Sequence, residues 1–394
     1  MIPWLVARAL AEPVDGVVDL HAHLASHLAV RAYRPGPDAP LPENADWRGR
    51  TQRRYDEPAV RASGVVLFVS AAYAHPATMY LHSRARTEKV VEAQLAYVEG
   101  FVAAHPDVYA LARTPEEARA AIADGRIVFV HAIEGATNLI RTPEQVRRWA
   151  DRGVAVITPI HLADNQLGTA THTWSFGWLT NFRGKVRSLV SDRGLRPRGE
   201  AVVGAMIDAG IVVDLTHMSP ASVSDALDLL DAHRAPVLVT HTGVAGVRHR
   251  PHETSDAQLD RIVDRGGLVG LAGNATEMGP VPRRALPDDH CPESVDDFRL
   301  HYAYLDGYLP DGVAIGWGSD FQGGVHEYRP RRGPDGCFDR DAELTGYPRV
   351  GLAHVGYADA FFAELGERGA DLTRLKGSAE AFLRIWEEAR ALRR

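Results

Sequence analysis

The chain has 394 residues, 45% of them apolar and 24% charged, with a formal net charge of −7 at pH 7. These are the proportions of a soluble globular enzyme, and the length suits one large barrel or two ordinary domains. The acidic balance speaks against nucleic acid as a partner, and the densest basic stretch, residues 329–332, is answered by nearby acids. No apolar run approaches the ~18 residues of a membrane span, so no membrane partner is expected.

Residues 1–8 lack a basic start and a long apolar core, and are expected to form a short helix rather than a signal peptide. The charged helix expected at the C-terminus is not the hydrophobic tail of a lipid-anchor signal, and none is expected. Two cysteines, Cys291 and Cys337, are too few for a disulfide framework. They could pair with each other, but free thiols are the expectation, and this points to the cytoplasm.

In chain order, apolar runs fall at 17–23, 64–70, 127–134, 154–161, 211–217, 236–241, 268–273 and 313–320. Most are rich in Val and Ile and suit parallel strands buried on both faces. Helical patterns lie between several of them. Within 87–104 the apolar stripe is Val90, Val91, Leu95, Val98 and Val102. Pro143 opens a helix leading to Trp149, and Ser219-Pro220 opens another carrying Val223, Leu227 and Leu230. Segments 256–263 and 373–392 complete the set.

Strands alternating with helices indicate a (β/α)₈ TIM barrel occupying residues 1–394 as one domain. A doubly wound open sheet is the alternative, but no Gly-rich phosphate loop follows the first strand. The connections 24–63, 274–312 and 321–352 exceed normal loop length. All three leave the C-terminal ends of strands, the face where barrel active sites sit.

The polar residues fall at those same ends. His21 and His23 stand two apart, so in a strand their side chains point the same way. Glu134, His161, His217, His241 and Asp320 finish further strands. Ionisable groups buried together are costly without a partner, and a metal satisfies all of them. His21, His23, Glu134, His217, His241 and Asp320 are too many for one catalytic zinc with three protein ligands. Two divalent ions sharing a bridge fit better. The bridge must be an anion, and Lys89, Lys185 and Lys376 lie at no strand end, so a carbamylated lysine is set aside and Glu134 is the bridge.

Several segments together carry a resemblance: Asp19-Leu20-His21-Ala22-His23, Ile133-Glu134-Gly135, Thr158-Pro159-Ile160-His161 and Val213-Asp214-Leu215-Thr216-His217-Met218-Ser219. Pro236 through Thr242, Gly318-Ser319-Asp320-Phe321 and Lys376 through Trp386 continue it. In this order and spacing the chain resembles the membrane (renal) dipeptidase family of the amidohydrolase superfamily. The resemblance implies a barrel, two zinc ions, a homodimer, and hydrolysis of dipeptides with tolerance for D-residues at the C-terminal position. It also implies that His21, His23, Glu134 and Asp320 surround one ion, and Glu134, His217 and His241 the other. A bridging hydroxide would attack the scissile carbonyl, Asp320 would move the proton, and His161 would stabilise the oxyanion.

Two departures from the family bear on metal and substrate. His23 stands where the family carries Asp, which leaves iron, manganese or nickel beside zinc as expectations. Where the family has an arginine that clamps the substrate carboxylate, this chain reads Pro251-His252-Glu253, with Arg248 and Arg250 just upstream. Arg250 and His252 are therefore the candidate substrate contacts, and His326, Tyr328, Arg329 and Arg331 offer another anchor. The expected activity is hydrolysis of a small dipeptide-like amide, with a small ester, lactone or acyl thioester as the alternative. A phosphoesterase lacks its phosphate-clamping lysines, and a purely structural metal protein would need neither Asp320 nor His161. His27, His75, His82, His172, His249 and His354 are expected outside the ligand set, and Trp174, Trp178 and Trp317 in aromatic core.

Overall fold

Short apolar runs, most of them rich in β-branched residues and buried, form the sheet. Its strands are β1 (Val17–Ala22), β2 (Val65–Tyr73), β3 (Tyr109–Leu111), β4 (Ile127–Glu134), β5 (Val154–Thr158), β6 (Val212–Val213), β7 (Leu238–Thr242), β8 (Leu268–Ala272) and β9 (Gly316–Gly318). The computed structural model describes residues 13–29, 57–74, 83–171, 193–281, 286–341 and 343–394. The strands pair in the order β6-β5-β4-β2-β1-β9-β8-β7, with every pairing parallel. A parallel bridge between Asp214 and Leu238 nearly closes this path into a barrel, and Leu215 N–H donates to the Leu238 carbonyl at 2.9 Å. The expected barrel is therefore present. β3, which the apolar pattern did not predict, pairs with the first residues of β4 and lies off the path. Three residues are too few to register as a periodic run.

Helices return the chain between strands, and their starts follow local chemistry. Ser83 accepts from Arg86 N–H and opens Arg84–Ala104, three residues before the apolar stripe suggests. Thr114 and Ser219 cap Pro115–Ala123 and Pro220–His233, each with proline in the first turn. Ser255 and Gln258 form a reciprocal capping box on Asp256–Asp264. The last helical segment breaks at Gly377 into Thr373–Lys376 and Ser378–Ala391. Its second part closes the N-terminal mouth of the barrel: Val18 N–H donates to Ser378 Oγ at 3.1 Å, and Phe382, Leu383 and Trp386 pack with Val18, Leu20 and Leu268. Only the C-terminal mouth is left for chemistry.

Two of the long connections carry helices among their described residues. The one from 274 to 312 contains Ala275–Met278 and Val295–Tyr308, and 321–352 contains Tyr347–Val350. Cys291 and Cys337 form a disulfide with Cα atoms 5.6 Å apart, which overturns the expectation of free thiols and removes the basis it gave for a cytoplasmic location. The pair stitches two rim connections together, and Arg331 and Arg368 both reach the fully buried Asp296 beside it. This adjacency depends on tertiary packing across a sequence separation of 46, so spacing alone could not reveal it. The proposed N-terminal helix, His75, His82, His172, Trp174 and Trp178 lie outside the described residues, as does the His27 side chain. Trp317 is core, His249 is exposed, and His354 caps a short turn through Gly356 N–H.

Candidate metal centre

The polar strand ends converge at the open mouth. His21 lies in β1 and His23 one residue past it, and their Nε2 atoms approach to 3.2 Å. Glu134, the last residue of β4, sits among the rings. Its Oε1 lies 3.3 Å from Nε2 of each of His21, His161 and His217, and its Oε2 lies 3.4 Å from His23 Nε2. Asp320 Oδ1 is 3.2 Å from His23 Nε2, and His217 Nε2 is 3.1 Å from His241 Nε2. All these side chains are buried. His161 lies three residues past β5 and His217 four past β6, so turns rather than strands aim them. His217 and Asp320 hold left-handed backbone at φ 66° and 53°, a strain that concentrates at functional positions. Gly135, also at positive φ, lets His161 close in: a Cβ there would lie 3.0 Å from the His161 Cβ.

The outer bonds fix which ring nitrogens face the cage. His23 Nδ1–H donates to the Ala71 carbonyl at 3.0 Å, which turns Nε2 toward Glu134 and Asp320 as the nitrogen a metal would take in place of a proton. Thr240 gives its hydroxyl proton to Asp214 Oδ2 at 2.8 Å, so its oxygen accepts from His241 Nδ1–H at 2.9 Å. His241 Nε2 is then a bare acceptor. Imidazole nitrogens and carboxylates facing one another in a buried cage call for cations between them. A divalent ion bound at roughly 2.0–2.2 Å holds tetrahedral donors about 3.3–3.6 Å apart, close to the spacings seen here. The donors fall into overlapping sets of ligand size: His21, His23 and Asp320; His21, Glu134 and His241; Glu134, His161 and His217; and His217, His241 and Glu277.

Charge in the metal-free cage is already polarised. Burial would raise the Glu134 carboxyl, but the surrounding His161 and His21 imidazoles hold it well below its usual range. Burial would likewise lower His23, yet the Asp320 and Glu134 carboxylates beside it push it up to about 10. His217 reaches about 9 for the same reason, against its burial, through Glu134 and Glu277. His161 falls to about 3 and His241 well below the usual histidine range, first through burial and then through neighbouring imidazoles. Without metal, protons on His23 and His217 occupy the places that cations would take.

The structure brings His21, His23, Glu134, His161, His217, His241 and Asp320 together, and places the substrate candidates differently. His252 lines a small cavity with His217 and lies with Nε2 3.3 Å from the Glu277 carbonyl. Arg250 is exposed, and its backbone N–H donates to Glu253 Oε2. Arg248 is buried and donates to the carbonyls of Glu277 and Met278. In the other anchor, Tyr328 is core, Arg329 holds the Asp335 carbonyl and Arg331 pairs with Asp296, while His326 is exposed. Sequence reasoning missed Glu277. It stands five residues past β8, which like β2 ends without a candidate ligand, and the short helix there turns it back toward His241.

Comparisons with known proteins bear on the fold and the family. The family model for membrane dipeptidase (peptidase family M19) matches residues 7–328. An uncharacterized dipeptidase of Schizosaccharomyces pombe is 27% identical over 256 residues, covering 65% of this chain and 51% of that protein. Dipeptidase ataJ of Aspergillus terreus is 28% identical over 245 residues, covering 58% and 55%. The chain thus spans about half the length of the curated relatives it matches. A metallo peptidase from Rhodobacter sphaeroides, solved with a phosphinate mimic of the dipeptide L-Ala-D-Ala, aligns with a TM-score of 0.69 at 19% identity, covering 95% of this chain and 99% of that one. An amidohydrolase from Pseudomonas aeruginosa gives 0.63 at 16% identity, covering 96% and 97%. At these identities the structures speak for the barrel alone, and the sequence model carries the assignment: the chain belongs to the membrane dipeptidase family, peptidase family M19.

Proposed function

We propose that the chain is a binuclear metal-dependent dipeptidase that cleaves the amide bond of a small dipeptide or dipeptide-like substrate. The observation that carries this reading is Glu134, whose oxygens lie 3.3–3.4 Å from the imidazoles of both halves of the cage. His21, His23 and Asp320 would hold one ion, His217 and His241 the other, and Glu134 would bridge them. Zinc suits this nitrogen and oxygen set, with iron, manganese or nickel as alternatives. Two divalent ions in this cage would acidify a water and polarise the scissile carbonyl. Asp320 borders the cage with φ at 53° and carries the proton from the attacking water to the leaving amine. His161 is buried and neutral, and donates from its ring to the oxygen on which negative charge develops. The packed C-terminal helix excludes water from the opposite mouth.

A second reading keeps the centre and changes the bond to a small ester, lactone or acyl thioester. It is favoured by Arg248, which is committed to the carbonyls of Glu277 and Met278 rather than presented to a substrate carboxylate. A panel of L,L- and L,D-dipeptides beside aryl esters and acyl thioesters separates the two. Dipeptide turnover supports the first reading, and turnover confined to esters or thioesters supports the second. Asp320→Asn should lower kcat on the accepted substrate at least ~100-fold with little change in KM. A full rate in that variant would defeat the proton-transfer role.

A further inference from the structure

The two halves of the cage are unequal if only the strand-end residues are counted. One side offers His21, His23 and Asp320 beside the shared Glu134, the other His217 and His241 once His161, which also groups with Glu134 and His217, is kept for the developing oxyanion. Glu277 supplies the difference. Its Oε1 lies 3.7 Å from His241 Nε2, and it groups with His217 and His241 at ligand spacing. Its side chain is buried, and Oε2 has no hydrogen-bond partner. A carboxylate in such a place is expensive unless something positive meets it.

The backbone around Glu277 is held from both ends. Asn274 Oδ1 accepts from Glu277 N–H at 2.9 Å. At the other end, Arg248 Nη1 and His252 Nε2 both donate to the Glu277 carbonyl, at 3.4 and 3.3 Å, and Arg248 also takes the Met278 carbonyl. Gly279, at φ +46°, makes room for that guanidinium: a Cβ there would fall 2.0 Å from Arg248 Nη1. The segment after β7 thus positions a turn of chain after β8, and that turn directs a carboxylate at two imidazoles. No salt bridge to Arg or Lys accounts for the Glu277 side chain among the described residues.

We propose that Glu277 is a protein ligand of the second ion, completing a set of His217, His241 and Glu277 that mirrors His21, His23 and Asp320 across the bridging Glu134. The inference rests on the binuclear reading above. Arg248 and His252 then become positioning residues for a ligand rather than substrate contacts. Each ion would have three donors of its own and one shared.

The test is zinc content and affinity, read by elemental analysis and by competition with a chromophoric chelator. Wild-type protein should hold two ions per chain. In Glu277→Gln, which keeps the shape and removes the charge, one ion should remain tight and the other should weaken at least ~10-fold. With cobalt in place of zinc, the visible absorption of the weakened site should change, while Asp320→Asn should alter the other site. Two ions bound at wild-type affinity in Glu277→Gln would overturn the inference and leave the binuclear reading standing; a wild-type protein holding fewer than two ions would sink that reading itself. If Glu277→Gln fails to fold, anomalous scattering from zinc-loaded wild-type crystals decides. A Glu277 oxygen at about 2.0–2.2 Å from an ion supports the assignment, and one beyond about 3 Å rejects it. Loss of dipeptide affinity in Glu277→Gln with both ions retained would instead make Glu277 a substrate contact and overturn the ligand role.

Discussion

The two sides of the cage use one device with different neighbours. On the first side, Asp19 of β1 accepts from His21 N–H and Ser319 N–H through Oδ1 and from Ser319 Oγ through Oδ2, and Ser319 directly precedes Asp320. On the second, Asp214 follows β6 and accepts from Thr216 and Thr240 through Oδ1 and from Thr158 and Thr240 through Oδ2, and Thr240 directly precedes His241. Both carboxylates are fully buried. In each case a buried acid grips the hydroxyl residue next to a candidate ligand on another strand. The difference lies in the backbone. β1 is a six-residue strand paired on both edges, whereas β6 has two residues and meets β7 through a single bridge. The threonine network around Asp214 stands in for a ladder that is nearly missing. Asp19 is the better supported by backbone, Asp214 by side chains.

Removing the acids should expose this difference. Asp214→Asn should cost on the order of 3 kcal/mol of unfolding free energy, because several charge-assisted bonds lose strength at once. Asp19→Asn should cost clearly less, as burial already pushes the Asp19 carboxyl up to about 6 despite its Ser319 bonds. Denaturant unfolding of the metal-free proteins checks the order, and equal costs would break the comparison. The same pair carries a pH signature. A carboxyl raised from 3.8 to about 6 on folding contributes stability that is fully present below about pH 4 and is lost as pH rises through 6. Metal-free Asp19→Asn should lack that decline.

Metal uptake comes next in size. Because His23 and His217 are pushed up to about 10 and 9, ion binding near neutral pH must displace a proton from each side of the cage. Affinity should therefore fall as pH drops, and calorimetry in buffers of different ionisation enthalpy should report proton release for both ions. Release confined to one ion would mark the sides as electrostatically distinct. The smallest effects belong to the hydroxyls. Thr240→Val should weaken the second ion about 10-fold by removing the acceptor of His241 Nδ1–H. Ser319→Ala, acting through backbone placement of Asp320, should weaken the first ion less, as chelator competition would show.

Much of this was legible in the chain itself. Val/Ile runs read directly as buried parallel strands, and His21, Glu134, His241 and Asp320 stand where those runs end, so their convergence follows from barrel geometry alone. Asp19 is the one acidic residue of the run 17–23, but its partner Ser319 is 300 residues away, and only the β1–β9 pairing reveals the bond. Glu277 escaped because it sits in a helical turn past its strand, where no periodicity marks direction. Arg248 was legible as a cation near the site but not as one turned to backbone carbonyls. The Cys291–Cys337 pairing depends on how two rim connections pack, which local sequence does not encode.

The central claim is that this cage cleaves dipeptides with two ions, and it is tested most directly by titrating metal-free protein with zinc while following L-Ala-D-Ala hydrolysis. Activity should be absent without metal, reach its maximum at two ions per chain, and vanish on chelation. Turnover in the metal-free protein, or two bound ions with no dipeptide turnover, would contradict it.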